Sequence, residues 1–154
     1  DRGHDAVSSA MGPGHGPNPA VDTVITPTNA LVQGLRAAGV TRLIVVGGAG
    51  SLEQSPGVRH VDDPHFPEIY KAVALKHADA LDIYRAVSDL DWTYISPAIA
   101  IGPAPRTRVF RVGGDQVLFD REGKSFIGID DFAIGLVDEL EHPSAIRKRI
   151  TLAY

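Results

Sequence analysis

The spacing of apolar and polar residues changes along the chain, and each change marks an element. Ala6 to Met11, AVSSAM, is a short run of apolar and small residues that stops in GPGHGPNP at 12–19, the pattern of a strand opening into a loop. From Val24 to Val40 the period lengthens. Val24, Leu31, Val32, Leu35 and Ala38 share one face at helical spacing, and Gly39 is placed as a stop. Because Pro27 is tolerated only in a first turn, the pattern predicts a regular helix beginning near Thr26. Arg42 to Val46 then runs without alternation into Gly47, Gly48, Ala49 and Gly50. An uninterrupted β-prone run closed by glycines reads as a central strand buried on both faces of a parallel sheet. Strand, helix and strand in this order form a βαβ unit, so a ligand site is expected outside the carboxyl ends of the strands. Glycines there let a flat molecule approach the backbone, or simply make a tight turn.

Beyond the glycines the pattern is less regular. Glu53 to Pro67 contains three prolines and reads as a solvated loop. It carries His60, Asp62, Asp63 and His65, but with no regular spacing to fix a ligand geometry, so no metal site is expected. Glu68 to Ala86 reads as a long helix with Ile69, Val73, Ala80 and Tyr84 on its inner face. Trp92 to Ser96 is another β-rich run, stopped by Pro97. Arg108 to Val112 and Gln116 to Phe119 flank a Gly-Gly-Asp turn signal and suggest a hairpin or two short strands. Phe126 to Ile129 is a further short strand. Asp130 is placed as the N-cap of a helix whose stripe is Phe132, Leu136, Val137 and Leu140, and Ile150 to Ala153 can form a last strand.

Composition narrows the function classes. The 154 residues suit one domain able to bury its own core. With no cysteine, disulfides, thiol nucleophiles and cysteine metal sites are excluded together, which suits a cytoplasmic setting. A net charge of -4, with the fifteen Lys and Arg scattered, offers no surface for nucleic acid. No apolar run approaches the roughly 20 residues that cross a bilayer.

AAGVTRLIVVGGAG, KHADALDIYRAVSDLDWTYISPA and GIDDFAIGLVDELE, in this order, resemble the NAD(P)H-binding family of atypical short-chain dehydrogenases, which includes NmrA-like and biliverdin/flavin reductase-like proteins. The resemblance covers nearly the whole chain. It implies a Rossmann-like parallel sheet with helices on both faces. The family's opening strand and G-x-x-G-x-x-G turn are not in this sequence, and AVSSAMGPG looks like its fourth strand. The chain is therefore expected to be an N-terminally truncated fold that binds NAD(P) poorly by itself, with a sheet edge open to self-association.

The same resemblance implies a nicotinamide site built from Met11, Gly12, Val46, Gly47, Gly48, Lys76, Ser96, Pro97 and Ala98, with Lys76 reaching the cofactor ribose. Catalytic members use a Tyr and a Lys one helical turn apart. Lys76 matches that Lys, but Ala72 stands where the Tyr belongs, and Tyr70 is two residues out of register. Ser51 matches the supporting Ser, although a Ser after glycines is also a common turn cap. The expected activity is NAD(P)H-dependent reduction of a small acceptor, with NADH or NADPH left open. A regulatory NAD(P) sensor and a sugar-nucleotide epimerase or dehydratase are the alternatives.

Overall fold

The structure, a computed structural model, describes residues 3–13 and 22–154. Its chain order is β1 (Ala6–Ser9), α1 (Asp22–Ala38), β2 (Arg42–Val46), β3 (Glu53–Ser55), β4 (Val58–Arg59), α2 (Glu68–Arg85), β5 (Asp91–Pro97), β6 (Ala100–Gly102), β7 (Arg111–Gly113), β8 (Phe126–Gly128), α3 (Ile129–Glu141) and β9 (Lys148–Ala153). The central sheet runs β1-β2-β5-β9-β7. Its first four strands are parallel, with Ala6 opposite Arg42 and Val46 opposite Ile95, and β7 closes the far edge antiparallel to β9. The βαβ reading of the first two strands is thus the observed one.

Successive side chains of a strand face opposite ways, and both faces of β2 and β5 are covered. Leu43 and Val45 of β2, with Trp92 and Tyr94 of β5, pack against Val32 and Leu35 of α1 and Leu81 and Tyr84 of α2. Ile44 and Ile95 point the other way, into Ile127, Phe132, Ile150 and Leu152. This is why β2 shows no alternation in sequence. Each fully buried aliphatic side chain contributes about 1.5–3 kcal/mol. One polar residue interrupts the run. Arg42 is buried and reaches Glu139 of α3 at 3.0 Å and Thr93 Oγ1 at 2.8 Å, fastening α3 across the sheet.

Several expectations change at the element ends. α1 begins at Asp22 rather than near Thr26, so Pro27 lies inside it. A single missing amide is tolerated because Val24 is buried and Thr28 Oγ1 donates to Val24 O at 2.7 Å, holding the first turns. The 12–19 loop lies outside the described residues from 14 onward. The 53–67 segment is more ordered than a solvated loop: β3 and β4 form a small hairpin through Gly57 (φ +77°), and a 3-10 turn over His60–Asp62 buries Val61. Gln116–Phe119 is not the hairpin partner of β7. Val117 instead donates its amide to Glu53 O at 2.8 Å, while β7 pairs with β9. On α2, Ile69 is exposed, and the buried residues run from Ala74 to Tyr84. Val137 of α3 is exposed as well.

Asp130 is not the N-cap of α3, which Gly128 provides without a side-chain bond. The next residue carries the polar work. Asp131 accepts hydrogen bonds from the amides of Thr107 and Arg108, from Thr107 Oγ1 at 2.7 Å and from Tyr154 OH at 2.7 Å. Burial opposes its ionisation, but these bonds outweigh it and hold the carboxyl well below its ordinary 3.8. A folded-state pKa below the unfolded one stabilises fully above the ordinary value and is lost as pH falls through the folded one. Denaturant titrations from pH 7 down to pH 3 are therefore expected to show stability falling with pH in the wild type. The Asp131→Asn variant should start lower and fall less.

Candidate functional site

At the end of β2, each glycine has a specific neighbour. A Cβ on Gly47 would stand 1.9 Å from Cε1 of Tyr94, so the space this glycine leaves is filled by the Tyr94 ring rather than kept for a ligand. A Cβ on Gly50 would stand 2.7 Å from Cβ of Ala74, which sets the close approach of this turn to α2. Gly48 lies against His77, where an added Cβ would be 3.2 Å from the His77 Cβ. Tyr94 ties these parts together. Its hydroxyl donates to His77 O at 3.0 Å and accepts from the Gly48 amide at 3.3 Å, while Ser96 Oγ donates to Gly48 O at 2.9 Å. Burial pushes the Tyr94 phenol well up, so it stays protonated and acts as a fixed donor.

Beside this turn lies a cavity of about 300 Å³, walled by Gly48, Ala49 and Gly50 on one side and by Tyr70, Val73, Ala74 and His77 of α2 on another. His60, Phe66, Pro67 and Ile99 complete it. The four α2 residues stand at i, i+3, i+4 and i+7, one stripe of the helix. On its other side His77 joins Met11, Ser9 and Val46 around a crevice of about 10 Å³, with Met11 exposed at the strand end. A Cβ on Gly12 would be 3.8 Å from His77 Nε2. His77 is therefore the shared wall between the ends of β1 and β2 and the cavity.

Among the described residues, no carboxylate, Lys or Arg lines the cavity. Burial lowers the pKa of His77, and burial, opposed by Asp63, lowers that of His60. Both imidazoles are thus neutral at pH 7 and can donate or accept hydrogen bonds without carrying charge. The larger groove, about 500 Å³ along α3, mixes Arg106 and Arg108 with Asp130, Asp138 and Glu141 and lies away from the β1 and β2 ends.

The sequence-derived residues divide accordingly. Met11, Gly12, Val46 and Gly48 converge on His77. Ser96, Pro97 and Ala98 do not line the cavity: Ser96 is buried and holds Gly48 O, Pro97 pairs with Leu152 of β9, and Ala98 is buried in the core with Ile44 and Ile95. Lys76 and Ser51 do not line the cavity. Lys76 Nζ lies 3.4 Å from Asp79 on the helix surface, and Ser51 Oγ accepts from Arg149 Nη1 at 2.8 Å. Arg149, itself buried, also grips Asp115 at 2.6 Å. His60, Asp62, Asp63 and His65 are engaged separately: His60 with Gln54, Asp62 with Arg59, and Asp63 with His65. His77 and Phe66 are the residues that sequence reading missed, while Tyr70, out of register for the catalytic role, does line the cavity. His77 lies four residues after Val73 and three before Ala80, both on the predicted inner face, and that periodicity was the available signal.

Comparison with known proteins agrees with the fold. A solved protein of Burkholderia pseudomallei, a candidate exported protein, is 46% identical, with a TM-score of 0.90 over 99% of this chain and 73% of its own. A candidate epimerase of Bacteroides thetaiotaomicron is 36% identical, with a TM-score of 0.90 over 99% of this chain and 68% of its own. A candidate NADH-flavin reductase of Streptococcus pneumoniae is also 36% identical, with a TM-score of 0.84 over 98% of this chain and 72% of its own. The family pattern described as NAD(P)H-binding matches residues 2–143. The chain therefore belongs to the NAD(P)H-binding family, on a Rossmann-like fold of the atypical short-chain dehydrogenase type.

Proposed function

We propose that this chain is an NAD(P)H-dependent oxidoreductase of the atypical short-chain dehydrogenase type, reducing a small planar acceptor held in the cavity beside His77. The observation that carries this reading is the placement of an uncharged, ring-lined cavity directly against the strand ends where this family's cofactor is expected. The residues present suit the nicotinamide end of such a cofactor. Met11, Gly12, Val46 and Gly48 surround His77 with backbone and apolar groups. Gly47 and Ser96 to Ala98 set that surface from behind. When bound, the cofactor supplies hydride. The chain's part is to exclude water, to orient the acceptor against the Gly48 turn, and to offer it the N–H of a neutral imidazole at His77.

Lys76 is proposed to reach the ribose hydroxyls by leaving Asp79, an exposed pair worth little. Lys76→Ala should then weaken NADPH binding by about 1.5–3 kcal/mol, read by cofactor fluorescence. Unchanged affinity would leave Lys76 as a surface residue only. Ser51 is proposed to act through Arg149, by holding the glycine turn in place. A likeness to a candidate NADH-flavin reductase supports a flavin-like acceptor, and the uncharged lining suits a quinone-like one equally. A sugar-nucleotide epimerase would need cationic groups for its phosphates, and the described residues that line the cavity include no Lys or Arg. The test is acceptor-dependent loss of NADPH absorbance with menadione or riboflavin at millimolar cofactor. Saturable oxidation is expected, whereas cofactor binding without oxidation of NADPH by either acceptor would favour a sensor.

A further inference from the structure

The cavity contains a second imidazole whose protonation is arranged by its own neighbours. His60 sits opposite the α2 stripe, its ring edge-on to Phe66 with centroids 5.0 Å apart. The Gln54 side-chain amide reaches its Nδ1 through Nε2. With the amide oriented this way its nitrogen donates and His60 Nδ1 accepts, so a neutral ring carries its single proton on Nε2. The arrangement is anchored at the backbone on both sides. Glu53, next to Gln54, donates its amide to Asp115 O at 2.9 Å and accepts from the Val117 amide at 2.8 Å. The His60 amide donates to Leu52 O at 2.8 Å.

We propose that Gln54 is a positioning residue that fixes His60 as its Nε2–H tautomer, making His60 a hydrogen-bond donor to a carbonyl oxygen of an uncharged planar acceptor. The assignment of this cavity to the acceptor rests on the function proposed above. The class of acceptor follows from the lining. An ionised ligand would be desolvated here without a counter-charge, while a flat ring finds Phe66, Tyr70 and two imidazoles. A quinone-like carbonyl compound satisfies both conditions, because its oxygens only accept.

The experiment uses the full chain labelled with ¹⁵N in its histidines, without NAD(P)H, and menadione as the probe. Long-range nitrogen–proton spectra report the tautomer of each ring directly. His60 is expected as Nε2–H in the wild type, with its Nε2 resonance shifting on menadione addition. Gln54→Glu places a carboxylate where the amide stood and should draw the proton to Nδ1, with about a tenfold loss of menadione affinity. In Gln54→Leu, which keeps the volume but donates nothing, the Nε2–H preference should weaken, a change that a packing role alone would not produce. His60 found as Nδ1–H in the wild type, or no shift of His60 with menadione, would overturn the proposal, and neither result needs a folded variant. A change in affinity below about twofold in a folded Gln54→Glu chain would overturn it as well. Because no cofactor is present, failure of NADPH turnover would count against the oxidoreductase reading and leave this measurement standing.

Discussion

Gly47→Ala is expected to destabilise the protein by about 3 kcal/mol, at the upper end of what one added methyl costs in a packed interior. The cause is steric and local. The new Cβ would stand 1.9 to 2.3 Å from Cε1, Cζ and Oη of Tyr94, a fully buried ring that cannot swing aside without abandoning His77 O and the Gly48 amide. The backbone is not the obstacle, since Gly47 is not among the residues with positive φ. A double-mutant cycle isolates the clash. In a Tyr94→Ala background, itself weakened by a cavity, adding Gly47→Ala should cost no more than about 1 kcal/mol, comparable to ordinary substitutions. Urea denaturation of the four chains gives the coupling. Equal costs in both backgrounds would show that the Tyr94 ring is not what requires glycine here.

His77→Phe should leave the fold largely intact and reduce NADPH-dependent menadione turnover by about 100-fold. That is the lower range for a positioned group that donates a proton or hydrogen bond to the reacting atoms. The substitution keeps ring volume at the wall between the β1 and β2 ends and the cavity, so it removes polarity without opening a hole. A second readout follows from the depressed pKa of His77. The charged form is disfavoured in the folded state, so stability is fully present above the ordinary value of 6.5 and declines as pH falls below it toward the folded value. His77→Phe should remove that part of the decline. An unchanged rate would show that His77 only packs against Gly48, and an unchanged stability profile between pH 7 and pH 5 would argue against its burial as a neutral ring.

The parallel core of the fold was legible because burial on both faces leaves a plain signature. β2 runs without alternation after Arg42, the WTYIS run of β5 is buried throughout with only Thr93 and Ser96 polar, and glycine or proline ends each of them. Local rules failed where tertiary contacts override them. Pro27 lies within α1 because packing of the helix outweighs one missing bond. The Gly113–Gly114–Asp115 signal marks a turn out of the sheet, since β9 is present to take the place of a hairpin partner. Asp131, not Asp130, binds amides, because its partners are on the distant 107–108 segment.

The candidate site was half legible for a related reason. Gly47, Gly48 and Met11 mark strand ends, and strand ends can be read locally. The cavity wall on the other side comes from α2 and from the 53–67 segment, and no spacing rule joins Gln54, His60, Phe66 and His77 before the chain is folded. Lys76 drew attention through its family position, while the neighbouring His77 is the residue turned toward Gly12 and Gly48.

The most direct test of the central claim is where a nicotinamide makes contact. Intermolecular nuclear Overhauser effects can be recorded from isotope-labelled chain in millimolar NADPH, which populates even a weak complex. Contacts from the nicotinamide ring protons to His77, Gly48 and Met11 are the predicted result. Contacts confined to the α3 groove at Arg106 and Arg108, with none at His77, would contradict it.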